Sequence, residues 1–318
     1  MKLLTIVVCT HNGAAFLGEC VDSIVAQQAY DAIVEEVYIV DNASSDATKE
    51  IALKFAGQFP SIRYIYEPQL GVSYARRHAA FATTEWIAYI DDDNIIMPNW
   101  LSSLERFIQN YSGVGVINGA NIPELRFRAS ENELVTLRSM LGALACTHLD
   151  MDEIKNGYPS RLAAPFGAGL VLRRKPLAEF LEAGWTKNVG RSGANLSSGE
   201  DGEIARAVLR AGYEYRQNLS MVLRHVIPRS RLQNEYVNKL FRGLDLGYYN
   251  YVSHGHDYIS RRLEIFVRSA AAVIAYPVRI HMAQDEVRRI MLRRGLVSKL
   301  RFIRLVLSDL LLLRRHHG

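Results

Sequence analysis

In the first hundred residues, short apolar runs rich in β-branched side chains alternate four times with stretches of helical periodicity, and this alternation narrows the possible folds more than any other feature. Residues 3–8 form a continuous apolar run, the pattern of a parallel strand covered on both faces. Residues 14–29 then space Phe16, Leu17, Cys20, Val21, Ile24 and Val25 along one helical face. Residues 37–40 read as a second strand, and a helix capped by Asp46 runs through Phe55. Residues 62–66 are a third strand, 72–82 are helical, and 86–90 are a fourth strand. Such alternation with short connections predicts an α/β fold on a doubly wound, mostly parallel sheet, whose ligands gather beyond the carboxyl ends of the strands. Thr10-His11-Asn12, Asp41-Asn42 and Asp91-Asp92-Asp93 all fall at such ends and are expected to share one crevice.

The acidic triplet stops the fourth strand. Like charges this close repel, and burying carboxylates is costly unless they are paired or hold a cation. The triplet is therefore a candidate site for a hard divalent ion such as Mg²⁺ or Mn²⁺. A solvated acidic turn is the plainer reading, and the edge shared with Thr10 and Asp41 argues against it. Alternation along a strand predicts that Asp91 and Asp93 project together while Asp92 points elsewhere.

Farther on, a helix follows Pro98 to residue 110 and residues 114–118 form a strand. The spacing of Gly113, Gly115 and Gly119 nearly matches a dinucleotide fingerprint but follows a helix, and no Walker-type phosphate loop occurs. Residues 133–145 read as a helix, 156–160 as a loop, and 167–172 as a glycine-led strand in close quarters. Residues 187–199, rich in Gly, Ser and Asn, read as a mobile loop leading to a helix that opens with Glu200-Asp201 and runs to Ala211. Acidic residues suit a helix start, so these two also have a purely structural explanation. A strand over residues 221–226 carries His225, and Pro228-Arg229-Ser230-Arg231 follows.

Together these segments resemble the inverting nucleotide-sugar transferases of glycosyltransferase family 2, with the GT-A fold. The matching pieces are Val7-Val8-Cys9-Thr10-His11-Asn12, the run from Val40 to Asp46, Gly71-Val72-Ser73-Tyr74-Ala75-Arg76, Asp91-Asp92-Asp93-Asn94, Gly199-Glu200-Asp201 and His225, in the family's order. The resemblance covers residues 1–232, taken as the catalytic domain, with 233–318 as a helical, basic extension. It implies that Asp93 is the direct metal ligand, joined by His225, with Asp91 and Asp92 completing the metal shell or lying near the ribose. Neutral imidazole tilts the choice toward Mn²⁺ without excluding Mg²⁺. Asp41 would accept a hydrogen bond from a uracil or thymine ring, favouring a UDP- or dTDP-sugar. Thr10 and Asn12 would line that pocket, with Arg76 in support, and Arg229 or Arg231 would close over the diphosphate. Asp201 would be the general base and Glu200 would orient the acceptor, a glycan or lipid-linked molecule. The Gln-x-x-Arg-Trp motif of the family's processive synthases is absent, so a single-addition transferase of cell-surface polysaccharide or glycolipid synthesis is implied.

The formal charge of +5 is carried by the tail, since residues 279–318 sum to +7 and the remainder to −2, which argues against a nucleic-acid partner. Residues 300–315 place Arg301, Arg304, Ser308 and Arg315 on one helical stripe. This fits a helix lying on an anionic membrane surface, or one packed on the catalytic domain or on a second copy in a homodimer. The three cysteines form no CxxC pair, so a cytoplasmic setting is expected, peripheral on the inner face of the plasma membrane if the tail binds lipid. The competing functions are a nucleotidyltransferase, which would need a phosphate-gripping motif near the first strand, and a nucleotide-sugar-binding or scaffold protein without turnover.

Overall fold

The structure, a computed structural model, describes residues 2–162, 164–183, 190–192, 196, 199–253 and 258–316. Its first part is strand and helix in alternation: β1 (Leu4–Thr10), α1 (Leu17–Val25), α2 (Tyr30–Ile33), β2 (Val34–Asp41), α3 (Thr48–Gln58), β3 (Ile62–Tyr66), α4 (Val72–Arg77) and β4 (Trp86–Asp91). β1 lies between β2 and β4 and runs parallel to both, and β3 is parallel to β2. Ile6 and Val8 of β1 pack into the apolar cluster on one face of the sheet and Val7 into the cluster on the other, which is why the run is apolar throughout.

Beyond β4 the chain gives β5 (Asn94–Ile96), α5 (Trp100–Asn110), β6 (Val114–Glu124), α6 (Glu131–Met140), α7 (Met151–Lys155), β7 (Leu170–Arg173), α8 (Arg174–Glu182), α9 (Glu200–Arg210) and β8 (Glu214–Val226). The described strands form one sheet in the order β3-β2-β1-β4-β7-β6-β8-β5. This half is mixed: β7 is antiparallel to β4 and β6, β8 is parallel to β6, and β5 is antiparallel to β8. The three-residue β5 is too short to carry a periodicity, and its ladder to β8 holds it in place. The helix expected over residues 133–145 ends at Met140. It starts two residues earlier, after a capping box in which Ser130 and Glu133 satisfy each other's backbone N–H groups, and a left-handed Ala145 closes the short 3₁₀ turn after it. Of the loop expected over residues 187–199, positions 187–189, 193–195 and 197–198 lie outside the described residues.

Three helices complete the chain: α10 (Asn234–Ser253), α11 (Tyr258–His281) and α12 (Glu286–His316). An apolar cluster joins Leu137, Leu141 and Leu144 to Ile227, Leu232, Val237 and Leu240, so the helical part shares a core with the region before residue 233. α12 docks inward. Asp245 on α10 accepts from Ser298 Oγ at 2.5 Å and Arg301 Nη1 at 2.7 Å, Phe302 and Val306 pack with Tyr249, and Arg294 donates to Ser139 Oγ at 2.7 Å. Arg301 therefore leaves the expected surface stripe, while Arg304 and Ser308 stay exposed. No helix among the described residues is long and apolar enough to cross a membrane.

Candidate active site

The site forms where the sheet reverses its winding. Registers Thr10↔Asp41 and Cys9↔Asp91 bring the ends of β1, β2 and β4 level with one another. Thr10 Oγ1 donates to Asp92 Oδ2 at 2.6 Å. This contact depends on Gly13, because a Cβ there would lie 2.1 Å from Asp92 Oδ2 and 2.2 Å from Thr10 Oγ1. Burial first, then the neighbouring Asp93 carboxylate, push the Asp92 carboxyl up to about 7 against the stabilising Thr10 bond.

β4 ends at Asp91, and Asp92 and Asp93 form a turn, so the strand alternation that would align Asp91 with Asp93 is broken. Asp91 faces Arg76 at 3.8 Å, whereas Asp93 is buried against β8. The β5–β8 register sets Asn94 opposite His225, and Val226 N donates to Asp93 O at 2.9 Å. Asp93 Oδ2 consequently lies 3.3 Å from His225 Nε2 and 2.7 Å from Arg231 Nη2. Burial opposes ionisation of Asp93, but His225 and Arg231 outweigh it and hold its pKa well below the usual carboxylate range. The demands on His225 conflict. Burial disfavours its charged form and Asp93 favours it, with the net effect of raising it to about 10, whereas Arg231 Nη1 at 3.0 Å can only donate and so requires the Nε2 lone pair.

Among the described residues no three His, Cys, Asp or Glu side chains form a ready metal shell. The chemistry of the donor set nevertheless fits a small divalent cation. Asp93 Oδ2 and His225 Nε2 are spaced as neighbouring ligands of one ion, and the uncompensated carboxylate pressure on Asp92 is what a cation relieves.

Across the cavity, Arg76 is 3% exposed, with Nη1 3.3 Å from Glu200 Oε1. Burial disfavours the charge on Arg76, but Glu200, Asp91 and Asp201 keep the guanidinium firmly protonated. Gly167 allows this close approach, since a Cβ there would lie 2.4 Å from Arg76 Nη2. Asp201 is fixed by two backbone donors, Gly167 N to Oδ2 and Gly202 N to Oδ1, each at 2.8 Å. Burial, then Asp201, push the Glu200 carboxyl up to about 7 despite Arg76, and its Oε2 is buried with no hydrogen-bond partner among the described residues. Carboxylates from two parts of the chain and three guanidinium groups, those of Arg76, Arg191 and Arg231, thus face a single cavity of about 340 Å³.

Residues 5–160 match the family model for glycosyl transferase family 2. That stretch is a glycosyltransferase family 2 domain. Over 125 residues it is 30% identical to glycosyltransferase AglE of Haloferax volcanii, an alignment that covers 38% of this chain and 40% of AglE. It is 28% identical over 102 residues to the uncharacterised glycosyltransferase YibD of Escherichia coli, covering 32% of this chain and 29% of YibD. The chain thus spans well under half the length of these relatives. Among solved structures, S. aureus TarS 1–349 in complex with UDP-GlcNAc superimposes with a TM-score of 0.52 at 12% identity, covering 96% of this chain and 90% of that one, a likeness of fold. The GT-A architecture expected from the sequence is the one observed.

The family 2 match ends before Asp201, His225 and Arg231, so the placement of those three rests on geometry. Thr10, Arg76, Asp91, Asp92, Asp93, Glu200, Asp201, His225 and Arg231 all line the cavity. Asn12, Asp41 and Arg229 lie outside that lining. Asn12 Oδ1 accepts from Ser45 N at 2.8 Å. Asp41 accepts from Ser44 N and the Tyr64 hydroxyl. Arg229 turns away to the Arg128 carbonyl and Glu133. Arg76, expected beside Asp41, is engaged with Glu200 and Asp91 instead. His11 and Asn42, expected at the crevice within their strand-end runs but given no role, line the cavity, and so do Arg191 and Tyr236, which were not singled out. Asn42 and His11 had a usable signal, since they flank Asp41 and Thr10 at strand ends. Asn42 ties the strand end to the loop before α4 through Gln69 O and Gly71 N, and its own carbonyl accepts from His11 Nδ1 at 2.7 Å. Tyr236 on α10 had none, because nothing in its local pattern reports that α10 walls the cavity.

Proposed function

We propose that this family 2 member is a metal-dependent, inverting glycosyltransferase that moves one sugar from a nucleotide-diphosphate donor to an acceptor hydroxyl. The observation that carries the reading is the convergence of Asp91–Asp93, His225 and Arg231 with Arg76, Glu200 and Asp201 on one cavity. Asp93 and His225 would hold Mn²⁺ or Mg²⁺, the imidazole favouring Mn²⁺. Bound there, the ion supplies Lewis-acid stabilisation of charge on the leaving diphosphate.

The remaining work falls to the protein's own side chains. Arg231, beside Asp93, pairs with the diphosphate oxygens. Thr10, His11 and Asn42 face the nucleoside, and Asp41 holds the strand end that supports them. The Gly167 and Gly202 amides aim the Asp201 carboxylate, which takes the acceptor proton as the acceptor oxygen bonds to the anomeric carbon. The bond from that carbon to the diphosphate breaks on the opposite side, and the nucleoside diphosphate leaves with the bonding electron pair. Glu200, anchored by Arg76, orients the acceptor. A UDP- or dTDP-sugar is the donor class, in keeping with the UDP-GlcNAc complex of TarS. The acceptor belongs to polysaccharide or glycolipid synthesis.

A membrane contact fits the outer face of α11, where Val267, Ile274 and Val278 are exposed at helical spacing beside Arg268 and Arg279, with exposed Met282 just past its end. The enzyme would then sit at the inner face of the plasma membrane.

Titration calorimetry with UDP-, dTDP- and GDP-sugars, with and without Mn²⁺, tests the core of the reading. One donor class should bind only with metal, and Asp93→Ala should remove that binding; undiminished Mn²⁺-dependent affinity in the variant rules out the metal role.

A further inference from the structure

A second cavity, of about 920 Å³, opens behind Asp201 between α6, α9, α10 and α12. Ala145, Arg191 and Asp201 line both cavities, so the two volumes meet at the candidate base. The walls of the larger one are apolar, with Phe166, Leu209, Phe241, Leu244 and Phe302 among them. Its volume lies near the top of the range for small-molecule sites, about 300–1,000 Å³, far more than one acceptor sugar fills. A glycan would find few polar partners along such walls, and an apolar chain would find many.

Three cations and two carboxylates, Asp201 and Asp245, line this chamber. Arg191, Arg206 and Arg294 line it. The carboxylate of Asp245 is already engaged by Ser298 and Arg301. Arg294 donates to the neutral Ser139 hydroxyl and lies over the Phe241 ring, and no ion pair to it occurs among the described residues. Met291 lines the chamber and is 54% exposed, so the chamber reaches the surface beside the basic helix α12.

We propose that this chamber binds an acceptor with a long hydrocarbon chain joined through phosphate to the hydroxyl-bearing group, the chain lying among the apolar walls and the anion facing the arginines. The proposal rests on the transferase reading, because it places the acceptor hydroxyl at Asp201. There the hydroxyl proton passes to the carboxylate, the acceptor oxygen bonds to the anomeric carbon, and the donor diphosphate departs with the electron pair. The chain itself takes no part in the bond changes and serves to hold the hydroxyl in place.

Calorimetric titration of the full chain with octyl, decyl and dodecyl phosphate tests the chamber independently of transfer. Affinity should rise with length, by up to about fourfold for each added CH₂. Gly202→Leu projects a side chain into the chamber, since a Cβ at Gly202 meets nothing within 4 Å, and should weaken dodecyl phosphate at least tenfold. Ala143→Leu on the opposite wall serves if that variant does not fold. Arg294→Gln should weaken dodecyl phosphate at least tenfold while leaving affinity for UDP with Mn²⁺ within twofold. Dodecyltrimethylammonium binding as tightly as dodecyl phosphate overturns the proposal, as do affinity independent of chain length and variants that bind like the parent. If UDP with Mn²⁺ fails to bind while the alkyl phosphates behave as described, the donor reading falls and the chamber stands.

Discussion

Replacing Glu200 by Gln separates the electrostatics of this site from its shape. The side chain is 7% exposed, so solvent does little to screen it. It faces Arg76 from α4, Asp201 beside it on α9, and Arg191. Its carboxyl is held at about 7, against an ordinary value of 4.5, so the folded protein binds this proton more tightly than the unfolded chain does. The stability that goes with the proton is fully present below the unfolded value and is lost as pH rises through the folded one. At about 1.4 kcal/mol for each tenfold difference in proton affinity, the whole loss is roughly 3 kcal/mol, most of it between pH 5 and pH 8. Gln keeps the oxygen that faces Arg76 and has no proton to lose. In urea denaturation the parent should therefore lose roughly 2–3 kcal/mol more than Glu200→Gln between those two pH values. Stability profiles that run parallel within about 0.5 kcal/mol would refute the assignment of strain to Glu200.

Asp201→Asn should keep donor affinity within about twofold and cut transfer by roughly 10²–10⁴, read by comparing calorimetry with single-turnover product formation; transfer at the parent rate excludes Asp201 as the base. Gly13→Ala forces apart Thr10 and Asp92 and should weaken Mn²⁺-dependent donor binding at least tenfold while the circular dichroism spectrum is unchanged, and parent-like affinity would remove Asp92 from the site. Ile274→Asp combined with Val278→Asp should abolish co-sedimentation with anionic vesicles. Retained vesicle binding argues against the α11 face, and a change from dimer to monomer in solution would assign that face to a second copy.

The half of the fold built from local pattern was readable. β1, β2 and β4 are parallel strands whose buried stretches each left an apolar run ended by a polar residue at the site, while β3 is a half-exposed edge strand. The far half was harder because pairing between distant strands, rather than periodicity, decides it. β5 exists because β8 pairs with it, and β8 begins in the alternating, half-exposed stretch from Glu214 that carries little apolar signal. The same distinction holds in the site. Thr10, Asp92, Asp93, His225 and Asp201 announced themselves as polar residues at element ends. The swing of Arg229 away from the cavity depends on Glu133 and Arg128, about a hundred residues distant, and the role of Tyr236 depends on how α10 seats. Arg301 read as surface charge because its stripe is basic, yet Asp245 on another helix draws it inward.

The β5–β8 ladder also bears on the order of assembly. It fixes His225 opposite Asn94, and 138 residues separate Arg231 from the Asp93 carboxylate it meets. Closing so long a loop is a late and slow step relative to the local pairing of β1 through β4. A chain emerging from the ribosome can therefore complete the edge formed by Thr10 and Asp41 well before the aspartate and histidine come together. Under the proposed function, the corner that would hold the metal is incomplete until the last strand is seated.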